Sequence, residues 1–377
     1  MGVKVGDTVK ARLPQRYTVS TGAALVKQNV TDRTVDIAIT DQKHVGIEFS
    51  AWSQTLEVND YRKRYIDPAT DAIVNDIDST GLTRMTKKVF WTVGTPAVIP
   101  GSTGTLPQAA NQVYGNAGVK LDNAAVPVDD RVAILSPAMH SYLANANNTV
   151  FNPAAAISDA FRKGMFASNV MGVDKWYKDQ NVYTHTVGTL GGTPLINGAN
   201  QTGASIVTDA WTSAVAVRLN EGDIIQFAGV YAVNPQSYAS TGQLQDFTVL
   251  ADASSDGSGN LTVSISPSII TSGAFQTVTG SPADNAAVTT FSHASTYAAA
   301  STPQGLIYHP DSFALVMADL VLPGGLWVAE RISNKALGVA IRFLKGHNID
   351  TDQTAARVDV AYGWAAVRAE MACRISS

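Results

Sequence analysis

The chain contains, at residues 67–90, the stretch DPATDAIVNDIDSTGLTRMTKKVF, which predicts one long helix. Asp67 can cap the free backbone N–H groups of a helix start, and Pro68 fits the first helical position. Small or apolar residues then recur every four positions, and two neighbours widen the stripe: Ala69, Ile73, Ile77, Gly81, Met85 and Val89, beside Ala72 and Leu82. The opposite face is polar. We therefore expect this spine helix to lie along a broad surface, most simply a β-sheet formed by other parts of the chain.

Length and charge limit the organisation of the chain. It has 377 residues, more than the roughly 250 to 300 residues that a single hydrophobic core supports, so two or more units are expected. Charged residues make up 15% of the chain, less than the quarter or so that is typical of soluble domains. Much of the surface is therefore expected to face other protein.

Charge and cysteine content exclude several classes of protein. The net charge of −4 argues against a protein that grips nucleic acid through clustered Lys and Arg, although not against one that encloses it. The single cysteine, Cys373, excludes an internal disulfide. Neither a membrane span nor an apolar signal segment is predicted, so we expect a soluble protein that is made inside the cell and has no membrane partner.

Residues 8–50 predict extended antiparallel ribbons with little core of their own. A run from Thr8 to Val19 is typical of a strand and is interrupted by Pro14, which belongs on an edge or a projecting ribbon. Alternating apolar residues from Thr34 to Phe49, with a polar turn at residues 41–43, predict a hairpin. A ribbon of this kind is marginal in water alone, so residues 18–33 at its tip are expected to pack on a neighbouring chain.

The middle of the chain predicts mixed α and β structure. Residues 58–66 predict a short helix that carries the basic cluster Arg62, Lys63 and Arg64, for which a solvated face is favoured over phosphate binding. A second amphipathic helix is predicted over residues 110–124 and a buried strand over residues 132–135. Serine or asparagine followed by proline at residues 136–137 and 152–153 predicts two more helix starts, and Gly164 closes the second of these helices.

From Trp211 onward the chain changes to short strand-like runs separated by turn residues. The predicted strands are residues 214–218, 223–227, 247–250, 261–265 and 275–278. Their regular spacing predicts a small barrel or sandwich inserted into another unit. Two later runs, residues 339–344 and 357–362, predict strands of the sheet on which the spine helix lies.

No stretch of the sequence carries a catalytic signature. The six histidines are scattered, and no zinc motif, phosphate-binding loop or nucleophile elbow is present. The loop from Asp252 to Asn260 offers oxygen atoms for calcium, but its spacing favours a hairpin turn. Lys27, near the ribbon tip, could attack an amide of a neighbouring subunit, although a solvated charge is favoured. We therefore predict no catalytic, cofactor-binding or metal-binding residues and no cofactor.

Several stretches together resemble the major capsid, or coat, proteins of tailed bacteriophages: Val5–Val9, Arg12–Tyr17, Arg64–Ala69 and Pro127–Arg131. The segment EGDIIQFAGVYAVNP at residues 221–235 resembles the start of the inserted β-domain in the podovirus coat family. RVDVAYGW at residues 357–364 resembles the ending of that family. The resemblance spans nearly the whole chain, and its most specific part is the segment from Gly222 to Pro235.

The resemblance implies an α+β fold of the Hong Kong 97 capsid type. It implies an extended loop at residues 1–57, and the spine helix of a peripheral domain plus an axial domain at residues 58–222. An inserted, barrel-like β-domain follows at residues 223–302, and the chain returns to the axial and peripheral sheet at residues 303–377. Relatives carry a helical N-terminal arm before the Val-Gly-Asp-Thr motif, so that arm is expected to be missing from this chain.

The resemblance also implies a structural role rather than an enzymatic one. Copies would form pentamers and hexamers of an icosahedral shell that encloses double-stranded DNA without sequence-specific binding. Scaffolding and portal proteins, and a decoration protein, would be further partners. The implied location is the virion capsid, assembled in the host bacterial cytoplasm.

Two other functions remain open at this point. An encapsulin-like shell protein of a bacterial nanocompartment would share the fold, but the insertion at residues 223–302 favours the phage family. A β-rich carbohydrate-binding or hydrolytic protein would explain the turns and aromatic residues, but it needs paired carboxylates around a cleft.

Overall fold

A computed structural model of the protein describes residues 8–29, 32–50, 62–102, 107–147, 170–290, 298–334, 339–349 and 353–377. The chain forms two compact units. Unit 1 comprises Met1–Leu13, Asp32–Gly81 and Phe313–Val367, and unit 2 comprises Pro14–Thr31, Leu82–Ser312 and Arg368–Ser377. The predicted helix start at residues 152–153, its end at Gly164 and the first part of the predicted 58–66 helix lie outside the described residues.

In the described ranges the α-helices are α1 (Asp67–Lys88), α2 (Pro107–Asn123) and α3 (Pro137–Asn147). A π-helical turn at Arg62–Ile66 precedes α1, and short 3₁₀ turns lie at Pro310–Ser312 and Ala369–Met371. The strands, in chain order, are β1 (Thr8–Arg12), β2 (Thr34–Ala38), β3 (Asp41–Ser50), β4 (Trp91–Gly94), β5 (Val132–Leu135), β6 (Lys175–Lys178), β7 (Thr184–Thr186), β8 (Leu195–Ile196), β9 (Gly203–Asp209), β10 (Ala216–Leu219), β11 (Ile224–Phe227), β12 (Tyr231–Val233), β13 (Ser240–Leu244), β14 (Phe247–Val249), β15 (Ala253–Ser255), β16 (Leu261–Ile269), β17 (Val288–Thr290), β18 (Ser301–Tyr308), β19 (Phe313–Met317), β20 (Val328–Asn334), β21 (Val339–Asn348), β22 (Gln353–Ala366) and β23 (Ala372–Ser376).

Unit 1 is built around the long strand β22. This strand pairs antiparallel with β3, β19 and β21, and β21 pairs in turn with β20. The apolar stripe of α1 packs on this sheet, where Ala69 and Ile73 contact Val358, Val360 and Tyr362. The predicted spine helix and its sheet platform are therefore confirmed for this part of the helix. The predicted stripe was too wide at Ala72, which is exposed, because it lies about 100° around the helix from Ile73.

The predicted hairpin at residues 34–49 is wrong. β2 pairs with β1, and β3 pairs along its whole length with β22, from Asp41 opposite Tyr362 to Ser50 opposite Gln353. Residues 41–43, predicted as a turn, are the first residues of β3. The alternation of apolar side chains correctly predicted strands, but it carries no information on which distant strand becomes the partner.

The first core of unit 2 combines α2 and α3 with the sheet of order β4-β23-β18-β5-β6. Tyr114 and Leu121 of α2 and Met139 and Leu143 of α3 are fully buried in this core, together with Leu135 of β5. The predicted helix over 110–124, the strand over 132–135 and the helix start at residues 136–137 are confirmed. Prolines occupy the first helical positions of α2 and α3, where the missing N–H costs nothing.

The second core of unit 2 is all β, with a six-stranded sheet of order β17-β11-β14-β16-β9-β8. Ile206, Phe227, Phe247 and Val263 are among its fully buried residues. Four of the five strands predicted after Trp211 are present with shifted ends. Residues 275–278 form no strand, although Val278 makes an isolated bridge to Ala232.

The side chain of Asp246 links the two cores of unit 2. Its carboxylate is fully buried and accepts hydrogen bonds from the Thr92 N–H (3.2 Å), the Gln226 side chain (2.6 Å) and the Lys120 ammonium. These partners lie on β4, β11 and α2 respectively. One buried carboxylate thus ties the helical core to the β-core, and Lys120 neutralises its charge.

Candidate functional site

The β1–β2 ribbon ends in a tip that exposes several large apolar side chains. The two strands pair from Thr8 opposite Ala38 to Arg12 opposite Thr34, and one further hydrogen bond joins the Leu13 N–H to the Arg33 carbonyl at 2.9 Å. Beyond this point the large exposed apolar residues, here called the tip patch, are Tyr17, Val19, Leu25 and Val26.

Two side chains of the tip patch are almost fully exposed. Val19 is 98% exposed and Leu25 is 82% exposed, so neither contributes to a core within its own subunit. Polar contacts shape the tip instead. Gln28 accepts a hydrogen bond from the Thr18 N–H at 3.0 Å and donates one back to the Thr18 carbonyl. Arg16 lies 3.4 Å from Glu370, also in unit 2. The tip therefore has local hydrogen-bonded structure while its apolar groups stay in contact with water.

A second set of exposed apolar side chains lies in the loop before β20 and on β20 itself, in unit 1. Its large side chains, here called the Trp327 patch, are Val321, Leu322, Leu326, Trp327 and Ile332. Trp327 is 64% exposed and stacks flat on the His347 ring, with ring centroids 5.1 Å apart and an interplanar angle of 5°. Leu326 packs beside Gly346, where an added Cβ would lie 3.0 Å from Leu326 Cδ2.

An ion-pair cluster around one buried carboxylate supports the Trp327 patch. The Asp359 carboxylate is fully buried and binds Arg342 in a bidentate manner, with Nε 2.9 Å from Oδ1, while Arg357 Nε lies 3.0 Å from Oδ2. The hydrogen bond to Asp359 raises the pKa of Arg342 despite partial burial. Arg342 also donates to the Val321 carbonyl. The loop before β20 is therefore fixed to the sheet, and its apolar side chains point outward from an ordered base.

β20 is also an edge strand in the part of the chain that the structure describes. It pairs with β21 on one side, and no other described strand pairs with it. Exposed strand edges can add a strand from another chain, and charged side chains limit this. Glu330 and Arg331 are exposed on β20, and Arg331 lies 3.7 Å from Asp319. A charged edge beside an apolar patch favours specific docking over indiscriminate strand addition.

The residues considered for chemistry in the sequence are not brought together. Lys27 and Arg64 are exposed. The side chains of Arg62 and Lys63 are not among those that the structure describes. In the loop from Asp252 to Asn260, the Asp256 carboxylate accepts the N–H groups of Ser258 and Asn260 at 2.8 Å, which is turn chemistry. These hydrogen bonds, led by that from the Asn260 side chain, lower the pKa of Asp256.

The histidines are dispersed over the fold. His140 is buried in α3, where burial lowers its pKa, and His185 bonds to Asp223 at 2.7 Å. His347 lies under Trp327, and His293 is outside the described residues. Within the described ranges, no three His, Cys, Asp or Glu side chains are placed to hold a metal ion. None of the helices in these ranges is both long enough and apolar enough to cross a membrane.

The Trp327 patch was not predicted from the sequence. The run VLPGGLW at residues 321–327 contains its signal, because four large apolar side chains flank a Pro-Gly-Gly turn. Turns lie at the surface, so apolar residues in such a turn indicate an exposed patch.

Comparison with known proteins identifies one family. A family model described as P22 coat protein, gene protein 5, matches residues 16–374. No curated protein matches the chain significantly. One similar solved structure is from Mycobacterium phage Che8. Its sequence identity to this chain is 11% and the TM-score is 0.49, and the match covers 99% of this chain and 86% of that chain.

Two further similar structures are phage capsids. That of cyanophage P-SCSP1u has 11% identity and a TM-score of 0.49, and the match covers 99% of this chain and 84% of that chain. The capsid of Ralstonia phage GP4 has 10% identity and a TM-score of 0.49, with 99% of this chain and 83% of that chain covered. The match to the family model, which extends over nearly the whole chain, is the finding from which function can be argued.

Proposed function

The chain belongs to the P22 coat protein family and is a phage major capsid protein, and we propose that its copies join into an icosahedral shell through the tip patch and the Trp327 patch. The observation that carries this proposal is the near-complete exposure of Val19 and Leu25 on an ordered tip. Burying one such side chain is worth about 1.5 to 3 kcal/mol. In a symmetric shell the same gain is repeated in every copy.

The proposed fold is the Hong Kong 97 type, with an extended loop, a peripheral domain, an axial domain and an inserted β-domain. Packing of α1 on the β22 sheet and the antiparallel β1–β2 ribbon support this assignment. The proposed boundaries are residues 1–57, 58–222, 223–302 and 303–377. β8 and β9 pair with the sheet of the β-rich block, so we propose that the structural unit of the inserted domain also includes residues 195–209.

The proposed contents and partners of the shell follow from membership in the coat protein family. We propose that the shell encloses double-stranded DNA without sequence-specific contacts, in keeping with the net charge of −4. Scaffolding and portal proteins, and a decoration protein, are proposed partners in building and completing it. Assembly is proposed to occur in the host bacterial cytoplasm, and the mature location is the virion capsid.

We propose that the protein catalyses no reaction and uses no cofactor. Support comes from membership in a family of structural coat proteins. The two apolar patches can also bind neighbouring copies without any reaction taking place. Pentamers and hexamers are proposed as the building units, because a closed icosahedral shell has pentamers at its vertices and every shell larger than the smallest one adds hexamers.

The test is the assembly state of the purified chain. Analytical ultracentrifugation and negative-stain electron microscopy should show closed shells or capsomer rings as the concentration rises. A chain that sediments only as a monomer at high concentration would contradict the proposal.

A further inference from the structure

Arg374 is a buried charge whose hydrogen-bonding capacity is largely unused in the described structure. It lies on β23 in unit 2, opposite Leu306 of β18 and Thr92 of β4, and is 1% exposed. Nη1 donates to the Gly222 carbonyl at 2.8 Å. Nε and Nη2 have no acceptor among the described residues. Leaving such donors unpaired inside a protein is costly, and more so on a charged group.

The neighbouring Asp223 carboxylate does not accept a hydrogen bond from Nε or Nη2 of Arg374. Asp223 Oδ1 lies 2.7 Å from His185 Nε2, and Oδ2 accepts the N–H groups of Gly188 at 3.0 Å and Asn220 at 2.8 Å. The carboxylate is thus held by other donors and acts on Arg374 only through space. Burial lowers the pKa of Arg374 to about 10, with Asp223 opposing the shift. The guanidinium therefore remains cationic at neutral pH.

A small cavity adjoins the guanidinium. Arg374 and Asp223 line it together with Thr290 and Ser376, which bring hydroxyl groups, and with apolar groups such as Val187. The centre of a water-sized molecule can occupy about 20 Å³ of this space. Roughly 10 to 15 Å³ is enough for one water molecule. The cavity therefore has room for one small hydrogen-bond acceptor beside Arg374.

We propose that this cavity binds one halide-sized anion, with chloride as the physiological example, on Nε and Nη2 of Arg374. The two N–H groups point from one edge of a planar guanidinium, so a single acceptor can bind both. The apolar part of the wall strengthens the attraction between the cation and the anion. A water molecule could accept the same hydrogen bonds, whereas a halide would add a negative charge at the unpaired edge, beyond the compensation that Asp223 provides through space.

The proposed site lies where the β-core meets the first core of unit 2. Arg374 belongs to the sheet of the first core, and the Gly222 carbonyl that it binds lies two residues before β11 of the β-core. An anion bound only by the folded chain stabilises it by an amount that grows with the logarithm of the anion concentration. Chloride should therefore strengthen the attachment of the β-core. This effect is independent of shell formation, because the measured quantity is the thermal stability of a single subunit.

Thermal unfolding of the full chain tests the site. At matched ionic strength, the Tm should be higher in sodium chloride than in sodium gluconate, whose anion is too large for the cavity, and it should rise with chloride concentration. Arg374→Met should abolish the difference between the two salts. Equal Tm values of the native chain in both salts would overturn the proposal and indicate that only water occupies the cavity.

Arg218 offers a matched control, because it is 7% exposed and its donors are paired. Its guanidinium donates to the Ser255 hydroxyl at 2.9 Å and to the carbonyls of Leu190, Thr212 and Ala214. Arg218→Met should lower the Tm but retain the full chloride dependence. If both substitutions removed that dependence equally, the effect would come from general destabilisation and the proposal would fail.

Two further measurements cover the case in which Arg374→Met does not fold. Thr290→Val keeps the volume of the side chain but removes a hydroxyl from the cavity wall, so it should reduce the chloride dependence while the chain stays folded. Crystals grown in bromide should show an anomalous peak at hydrogen-bonding distance from Nε and Nη2. A chloride dependence unchanged in Thr290→Val, together with no anomalous peak, would overturn the assignment.

Discussion

The indole ring of Trp364 lies so close to Gly81 that a Cβ on residue 81 would be 2.6 Å from Trp364 Cε2. The ring is held there by a hydrogen bond from Nε1 to the Ile77 carbonyl, 3.2 Å away and one helical turn earlier. Gly81 therefore occupies its place in the stripe of α1 because any side chain would collide with β22. The same contact brings the helix backbone close to the sheet.

Gly81→Ala should lower the free energy of unfolding. Alanine gains about 1 kcal/mol in helix propensity over glycine, but overpacking a fixed aromatic ring costs about 1 to 3 kcal/mol, and the anchored indole has little room to move. The change can be measured by urea denaturation. Gly115→Ala in α2 is the control, since no atom lies within 4 Å of its added Cβ, and it should stabilise the chain. Stabilisation by both substitutions would show that the Trp364 contact is not tight.

Leu25→Ser with Val26→Ser should impair assembly while leaving the subunit stable. Both side chains are exposed, and exposed substitutions usually change stability by less than about 0.5 kcal/mol. If the tip packs on a neighbouring copy, each copy loses apolar contact area. Electron microscopy should show fewer closed shells at an unchanged Tm. Val215→Ser is the control, because Val215 is 80% exposed but lies outside both patches.

Deleting the tip, residues 18–29, extends this test and contrasts with Ile73→Asp. The deletion should abolish shells but leave the subunit folded. Ile73 is 2% exposed in the core of unit 1, so an aspartate there would bury an unpaired carboxylate and cost several kcal/mol. A tip deletion that melts far below the native chain, or that still builds normal shells, would refute the role of the tip between subunits.

Trp327→Ser should weaken contacts between copies more than it weakens the subunit. The loss of the stack on His347 is expected to cost about 0.5 to 1.5 kcal/mol. The free subunit already exposes 64% of this residue, so most of its apolar area is available to a partner. Light scattering should show a higher concentration threshold for assembly. An unchanged threshold with a lowered Tm would assign Trp327 a role within the subunit alone.

The pH dependence of stability should include a contribution from Glu221. Burial raises the pKa of Glu221, but hydrogen bonds from Lys88 (2.9 Å) and Lys87 (3.2 Å) outweigh burial and lower it from about 4.5. Because the folded state has the lower pKa, the contribution is present above about pH 4.5 and is lost as the pH falls through the folded value. The Tm of the native chain should fall in this range.

Glu221→Gln should be less stable than the native chain at neutral pH, and the two Tm curves should converge below about pH 4.5. Replacing Lys87 and Lys88 by methionine should remove the same part of the pH dependence. Parallel curves for the native chain and Glu221→Gln down to low pH would show that the ion pair contributes nothing to the folded state.

Features that depend on neighbouring residues were predictable from the sequence. α1 follows from apolar spacing and from proline at the helix start, α2 follows from apolar spacing, the start of α3 follows from Ser136-Pro137, and β5 follows from a short apolar run. These signals depend only on residues close together in the sequence, so they predict the same helix or strand whatever the rest of the fold is. The candidate tip could also be predicted, because Pro14 and the small residues around Gly22 provide no apolar core.

Features that depend on distant parts of the chain were not predictable from single-sequence patterns. Whether β3 pairs with β2 or with β22 depends on contacts across nearly the whole sequence. β9 joins the β-core although it precedes the expected start of that domain. The burial of Arg374 arises only when β4, β18 and β23 come together. An arginine near a chain end gives no sign of such a position in the sequence.

The pairing of β3 with β22 has a consequence for the order in which the chain folds. Residues 41–50 of β3 can pair with β22 only after residues 353–362 have been synthesised. The sheet of unit 1 therefore cannot form completely until these residues have left the ribosome. The strands of the β-core, from β8 to β17, become available earlier and can pair with one another during synthesis, whereas the sheet of the first core also needs β23. Folding of that segment shortens the loop that must be closed, which lowers the entropic cost of joining β3 to β22. We expect protection from hydrogen exchange to develop first in the β-core and last along β22.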